Sequence, residues 1–235
     1  MGFNPFYFDP YYLLFLGPAL LLAIVAQMWV SSAYARASQM PASTSGANVA
    51  RHLLDNAGLD NVPVEEVPGH LSDHYDPRAD VVRLSSEVFH GRSLAAVGIA
   101  AHECGHALQK HLGYLPFRLR SLAVPMASFG SGASGLLLIL GIIFGFQPLL
   151  IAGIVLFSCV VIFQLVNLPV EFDASARAKA LLIEQGIVHQ HEMGPVNNVL
   201  NAAALTYVAA TLQAIMQLLY YVTLIMGRGR SRSDE

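Results

Sequence analysis

Four stretches of the chain consist almost entirely of apolar residues, and each is close to the length that a helix needs to cross a bilayer. They run from about 11 to 34, 122 to 146, 149 to 170 and 202 to 226. About 20 apolar residues span the hydrocarbon core of a membrane, so the pattern predicts four transmembrane helices. Only Gln147 and Pro148 separate the second stretch from the third, which predicts a helical hairpin.

Between the first and second apolar stretches lies a polar segment, residues 35–120, which carries most of the chain's charge. Short β-branched runs bounded by turn-forming residues are typical of strands, and a Gly after a helical pattern is typical of a helix end. The segment is therefore predicted to contain a connector (38–46), a helix (47–57) that Gly58 ends, a strand (62–67), a turn-rich connection (69–80) and a second strand (81–84).

The composition agrees with a membrane location. The chain is 54% hydrophobic and 12% charged, whereas about a quarter of the residues in a soluble domain are charged. The net charge is -3 and there is no basic stripe, so nucleic-acid binding has no support. The two cysteines, Cys104 and Cys159, do not form a disulfide framework. We expect an integral membrane protein.

The segment His102-Glu103-Cys104-Gly105-His106 carries the main chemical signal. On a helix, His102 and His106 lie one turn apart on the same face and can bind one Zn²⁺, while Glu103 acts as general base on a zinc-bound water. The HExxH pattern also occurs by chance in core helices with paired histidines. Here residues 93–101 contain no charge, which indicates a buried helix. Buried polar side chains are costly unless a partner or a metal ion compensates them, so this setting favours zinc.

A zinc peptidase needs three protein ligands and an open fourth position for water. Glu171 is the best candidate for the third ligand because it directly follows the third apolar stretch, after the polar residues Gln164 and Asn167. A carboxylate at a membrane surface is costly unless it is paired or bound to a metal. The alternative is that Glu171 begins a helix, where a carboxylate suits the helix dipole.

The chain resembles a known family in several segments. These are AAHECGHALQ (100–109), LPVEFDASARA (168–178), LNAAALTYVAA (200–210) and DHYDPR (73–78). They are similar to the YugP-like neutral zinc metallopeptidases of bacterial membranes, and more distantly to HtpX-type and CAAX-prenyl-type membrane gluzincins. The resemblance covers essentially the whole chain. It implies that His102, His106 and Glu171 bind one Zn²⁺ per chain and that Glu103 is the base.

The chain departs from the distant relatives in one place. Their third-ligand helix resembles E-F-x-A-D, with an Asp one turn after the Glu. Here Ser175 stands in that place, and Asp173 lies two residues after Glu171. Either side chain could hydrogen-bond a zinc-bound histidine, and we favour Asp173.

These features predict an integral-membrane zinc endopeptidase of the HExxH gluzincin type. Because Glu171 follows an apolar stretch directly, we expect the site near the bilayer surface and membrane-associated or unfolded proteins as substrates. An extended substrate would add to the edge of one predicted strand. The oxyanion needs a further donor, for which the candidates are His74, Tyr75, Arg177 and His191.

The resemblance implies the bacterial inner membrane as the location. Four spans put both termini on one face and the polar segment on the other. Lys and Arg near span ends favour the cytoplasm. Arg36, Lys110, Arg118, Arg120, Arg177 and Lys179 outnumber Arg228, Arg230 and Arg232, which predicts an active site facing the cytoplasm.

Two alternatives stay open. One is a non-catalytic membrane scaffold or adaptor that contains zinc, but such a protein has no use for the base Glu103. The other is a zinc transporter or sensor, but the apolar stretches hold almost no ionisable residues and hence no ion path. A regulatory membrane partner is a further candidate for which the sequence carries no motif.

The predicted fold class is a mainly α membrane protein with about four transmembrane helices and a small α+β zincin-like catalytic region after the first. The predicted segments are an N-terminal segment with the first span (1–35), a catalytic region (36–120), a transmembrane hairpin (121–170), a third-ligand helix and loop (171–200), a fourth span (201–227) and a basic tail (228–235).

Overall fold

The structure is a computed structural model that describes residues 10–231, with side chains described for residues 11–226. Within these residues the elements are, in chain order, α1 (Pro10–Ser38), α2 (Gly46–Asn56), β1 (Val64–Val67), β2 (His74–Asp76), β3 (Val81–Ser85), α3 (Ser86–Phe89), α4 (Leu94–His111), α5 (Leu115–Ile143), α6 (Gln147–Glu184), a 3₁₀ helix (Gln190–Glu192) and α7 (Met193–Ser231). The predicted basic tail lies outside the residues whose side chains are described.

Four helices in the described part of the chain are long and apolar enough to cross a membrane, namely α1, α5, α6 and α7. The prediction of a mainly α membrane protein with a small α+β region is therefore confirmed. Each helix is longer than its apolar stretch. In particular, α6 runs for 38 residues without a break, so the third apolar stretch and the helix that carries Glu171 are one element.

A short turn at residues 144–146 joins α5 to α6, so Gln147 and Pro148, which were predicted to separate the two helices, begin α6 instead. Gly145 has a φ of 62°, a left-handed conformation that glycine adopts without strain, and the next residue, Phe146, donates from its backbone N–H to the Gly141 carbonyl at 3.1 Å. A Cβ on Gly141 would lie 2.8 Å from side-chain atoms of Leu150. Small residues here therefore allow the two helices to pack closely.

The sheet has the strand order β1-β3-β2. Strand β3 is central and pairs parallel with β1 and antiparallel with β2. The sequence predicted β1 and β3 but assigned β2 to a turn-rich connection, which is wrong. Because β2 has three residues and a polar sequence, its extended form depends on pairing with β3, where Tyr75 lies opposite Val82.

Helix α4 carries the HExxH segment and is buried on most of its surface. It packs against α2 in the hydrophobic core, where Leu53, Val97 and Cys104 are 1% exposed or less. The Cys104 thiol is 3.6 Å from the Ala50 carbonyl, and burial raises the pKa of that thiol. Cys104 is thus a small core residue.

The N-terminus of α4 is held by its cap and by the preceding connector. The Ser93 side chain accepts from the backbone N–H of Ala96 at 3.2 Å, a stabilising N-cap interaction. The backbone N–H of Leu94 donates to the Met40 carbonyl at 2.9 Å, and the N–H of Ala42 donates to the Arg92 carbonyl at 3.0 Å. Helix α4 therefore begins at a well-defined place.

The chain forms two compact units. One contains residues 122–166 and the described parts of 1–25 and 207–235, which are segments of the four long helices. The other contains residues 26–121 and 167–206, and it includes the sheet, α4 and Glu171. All residues of the site described below belong to this second unit.

Candidate metal centre

Three side chains from α4 and α6 converge on one point. His102, His106 and Glu171 each offer one ligand atom, and these atoms all lie within 4.8 Å of one another. The Oε2 atom of Glu171 is 3.4 Å from His102 Nε2 and 3.6 Å from His106 Nε2. The structure therefore brings together the three residues that the sequence and the family resemblance suggested as ligands.

The chemistry of this cluster fits a zinc ion. Glu171 is 2% exposed and His106 is 6% exposed, and the buried Glu171 Oε2 atom accepts no hydrogen bond from any described residue. A buried carboxylate oxygen without a partner is costly. Two imidazole nitrogens and one carboxylate oxygen form a donor set that Zn²⁺ prefers in catalytic sites. A metal ion bound there would give the Glu171 Oε2 atom the partner that it lacks.

A close contact between backbones allows α6 to approach α4. A Cβ on Gly105 would lie 2.7 Å from the carbonyl oxygen of Ala174, a distance that real Cβ atoms do not adopt. Gly105 directly precedes His106, and Ala174 lies three residues after Glu171 on α6. The glycine inside the HExxH segment thus permits the approach that places Glu171 near both histidines.

Each histidine is oriented by a hydrogen bond at its other ring nitrogen. His106 Nδ1 is 3.0 Å from Gln109 Oε1, and His102 Nδ1 is 3.2 Å from the Ser175 hydroxyl. Such contacts fix the ring and its tautomer. With Nδ1 occupied, Nε2 of each ring is the atom that faces Glu171.

Gln109 connects α4 to the helix of the third ligand. Its side chain is fully buried, and its Nε2 donates to the Val170 carbonyl at 2.7 Å and to Asp173 Oδ2 at 2.8 Å. Asp173 therefore contacts His106 only through Gln109, whereas Ser175 contacts His102 directly. Gln109 was not among the predicted site residues, although its position three residues after His106 places both on one helix face.

Glu103 lies beside the cluster and is 7% exposed. Burial raises the pKa of its carboxyl to about 7, the charge of His102 lowers it, and a hydrogen bond from the Tyr75 backbone N–H also lowers it. A general base works best when its pKa lies near the working pH. The environment of Glu103 therefore suits the role that the motif suggests.

The four predicted oxyanion donors have other contacts. The Tyr75 hydroxyl donates to Asp80, and Arg177 Nε donates to Asp173 at 2.6 Å. His74 is exposed, with Nδ1 2.8 Å from the Ser72 carbonyl, and His191 stacks on His189 with ring centroids 5.6 Å apart. The role that the sequence assigned to these residues stays a prediction.

A further cation lies next to the cluster and was not among the predicted site residues. Arg120 Nη2, at the start of α5, is 3.9 Å from Glu171 Oε1. In the sequence, Arg120 stands out only as a basic residue flanking a span. No pattern relates its position to Glu171, because the two residues meet only through the packing of α5 against α6 within this unit.

Comparison with known proteins agrees with this geometry. Residues 12–226 match the model of a family described as "Putative neutral zinc metallopeptidase". The chain is also 47% identical over 210 residues to the "Putative membrane protease YugP" of Bacillus subtilis (strain 168), an alignment that covers 88% of this chain and 93% of that protein. No solved structure matches. The chain belongs to this family of neutral zinc metallopeptidases, and the predicted resemblance is confirmed.

Proposed function

We propose that this zinc metallopeptidase-family protein is an integral-membrane endopeptidase that hydrolyses peptide bonds of membrane-associated or unfolded proteins near the bilayer surface. The observation that carries the proposal is the convergence of His102, His106 and Glu171 within 4.8 Å, beside the buried carboxyl of Glu103. A purely structural zinc site would need no such base. The metal would be one Zn²⁺ per chain, bound in the manner of HExxH gluzincins.

The residues of the site support hydrolysis by an activated water. Zinc held by the two histidines and Glu171 would act as a Lewis acid and lower the pKa of water toward about 7. Glu103 takes a proton from that water, whose oxygen attacks the peptide carbonyl carbon. Glu103 then gives the proton to the leaving nitrogen as the carbon–nitrogen bond breaks.

Strand β2 is a suitable edge for the substrate backbone. It pairs with β3 on one side and is the last strand of the sheet, so no strand of the described residues pairs with its other edge. The Tyr75 N–H of this strand reaches the Glu103 carboxyl, which places β2 next to the base. An extended substrate bound along β2 would therefore pass the metal cluster.

The position of Glu171 along the chain supports a membrane-level site. It directly follows the apolar stretch 149–170, and the same helix α6 carries both. We place the protein in the bacterial inner membrane with the active site toward the cytoplasm, because most basic residues near span ends lie on the side of the polar segment. Impermeant maleimide labelling of an Asp60→Cys variant in spheroplasts tests this orientation, since labelling before lysis would contradict it.

The function is tested with detergent-purified wild type and Glu103→Gln. Zinc content is measured by mass spectrometry, and proteolysis with fluorescein-labelled casein as an unfolded substrate. We expect both proteins to retain zinc and the variant to lose activity by about 100-fold or more, because proton transfer contributes about this much. An equally active variant would refute the role of Glu103.

The same assay separates the enzyme from the non-catalytic alternative. The substrate is casein, either soluble or fused directly to a transmembrane helix and co-reconstituted in liposomes. Faster cleavage of the anchored substrate supports the membrane-level site. A zinc-loaded wild type that cleaves neither form, under conditions in which it remains folded, would favour the scaffold or adaptor.

A further inference from the structure

We propose that Arg120 is a catalytic residue that stabilises the oxyanion formed when the substrate carbonyl is attacked. The inference rests on the proposed peptidase function and names a group that neither the motif nor the predicted donors include. It follows from the place of the guanidinium beside Glu171, from its uncommitted hydrogen-bond donors and from the contacts of the other candidates.

The Arg120 guanidinium has donors available at the site. Its Nε atom is buried and has no hydrogen-bond partner among the described residues. Its nearest carboxylate contact, from Nη2 to Glu171 Oε1, is 3.9 Å, which is too long for a hydrogen bond. A guanidinium carries five N–H donors in a planar fork, and the Arg120 side chain is 27% exposed, so a substrate oxygen entering the site would meet the accessible Nη donors.

The contacts of Arg120 place it on one side of the metal cluster. Glu171 Oε2 faces the two histidines, while Oε1 faces Arg120. The guanidinium carbon lies 5.9 Å from the ring centroid of Phe117, a cation–π distance, and the Phe117 ring lies 6.1 Å from that of His106. Phe117 is 2% exposed, so it provides a fixed support for the cation.

Arg177 and Tyr75, two of the predicted donors, are already engaged by carboxylates. Arg177 donates to Asp173 at 2.6 Å and lies over the Tyr114 ring at 5.7 Å. The Tyr75 hydroxyl donates to Asp80. Using either group on a substrate would require breaking a hydrogen bond to a carboxylate, whereas Arg120 needs no such exchange.

Arg120 would act at the step in which negative charge develops on the substrate carbonyl oxygen. As the water oxygen bonds to the carbonyl carbon, the carbonyl π pair moves to oxygen and creates a negative charge. Donors of Arg120 stabilise that charge more strongly than the neutral carbonyl. When the carbon–nitrogen bond breaks, the carbonyl re-forms, the electron pair passes to nitrogen and Glu103 supplies the proton.

The competing role is structural. In that case Arg120 does no more than hold Glu171 in place through the Oε1 contact. The two roles differ in what they change. A positioning residue would affect zinc binding and substrate binding, whereas an oxyanion donor affects kcat and the affinity for a mimic of the tetrahedral intermediate. The test therefore measures zinc content, kcat, KM and binding of phosphinic pseudopeptides, which carry a tetrahedral oxyanion.

The variants are Arg120→Gln and Arg120→Lys, with Arg118→Gln as the matched control. Arg118 lies two residues earlier on α5 and is exposed, so its replacement removes the same charge away from the cluster. We expect Arg120→Gln to retain zinc and to lose about 100-fold in kcat with little change in KM. The affinity for the best phosphinic pseudopeptide from a small library should fall by a similar factor, with Arg120→Lys intermediate and Arg118→Gln like wild type.

Three results would overturn the proposal. They are unchanged kcat and pseudopeptide affinity in folded Arg120→Gln, loss of zinc together with activity, and a rise in KM alone. Failure of the underlying peptidase function is distinguishable, because the zinc-loaded wild type would then neither cleave casein nor bind any pseudopeptide, which would overturn both proposals. Pseudopeptide binding that depends on Arg120 would support the assignment even if casein is a poor substrate.

Discussion

Gly105 and Ala174 are in direct backbone contact, with the site of a Gly105 Cβ only 2.7 Å from the Ala174 carbonyl oxygen and 3.2 Å from its Cα. The first residue belongs to the HExxH segment of α4 and the second to α6. Any larger side chain at Gly105 must push the helices apart, because both partners in the contact are backbone atoms that cannot rotate away. The spacing between the histidines and Glu171 therefore depends on this glycine.

The Gly105→Ala variant is expected to lose zinc affinity and stability. Overpacking of this kind costs about 1–3 kcal/mol, and moving α6 outward separates Glu171 from the histidines. Zinc affinity is measured by competition with a chromogenic chelator, and stability by thermal unfolding. Gly132→Ala is the matched control, because a Cβ there meets nothing within 4 Å. Equal zinc affinity in wild type and Gly105→Ala would show that the helix contact does not control the site.

Zinc content is expected to depend on Glu171. Wild type purified without chelators should contain about one zinc per chain, since three protein ligands hold a catalytic zinc. Glu171→Ala leaves two histidines and should lose most of the metal. Full retention of zinc in folded Glu171→Ala would exclude this residue as a ligand.

Replacement of Gln109 by Leu is expected to weaken zinc binding about 10- to 100-fold, as is usual when the partner of a metal-bound histidine is lost. The change removes the 3.0 Å contact with His106 and the donors to Val170 and Asp173. Affinity is compared with that of Ser175→Ala, which removes the contact with His102. If neither change affects zinc affinity, these hydrogen bonds do not orient the ligands.

Acid stability is expected to depend on Asp76, outside the metal cluster. Hydrogen bonds from Arg83 and from the backbone N–H groups of Arg78 and Ala79 lower the pKa of its carboxyl to about 2. Because the folded pKa lies below the unfolded value, the stabilisation is present above about pH 4 and is lost as the pH falls toward 2.

The comparison for Asp76 uses wild type and Asp76→Asn, both with chelator so that loss of metal does not contribute. The melting temperature of wild type should fall more steeply between pH 4 and 2 than that of the variant. Parallel curves for the two proteins would show that Asp76 makes no pH-dependent contribution to stability.

Strand β2 and Arg120 show where sequence patterns stop being informative. His74, Tyr75 and Asp76 have no alternation of apolar and polar residues long enough to predict a strand, and they are extended because β3 offers a partner. Arg120 has the sequence context of an ordinary basic residue beside a span. Its contact with Glu171 comes from helix packing, which no local pattern encodes.

The sequence by itself determined the features that depend on local periodicity and length. Apolar stretches of membrane-spanning length predict the four long helices, and the spacing of His102 and His106 places both on one helix face. Only the tertiary structure decided how Glu171 meets them, because that distance depends on the Gly105 contact with Ala174 and on Gln109 bridging to Asp173. Local patterns act within a turn or two of a helix, whereas the candidate metal centre is formed by residues that are distant in sequence and meet only when the helices pack.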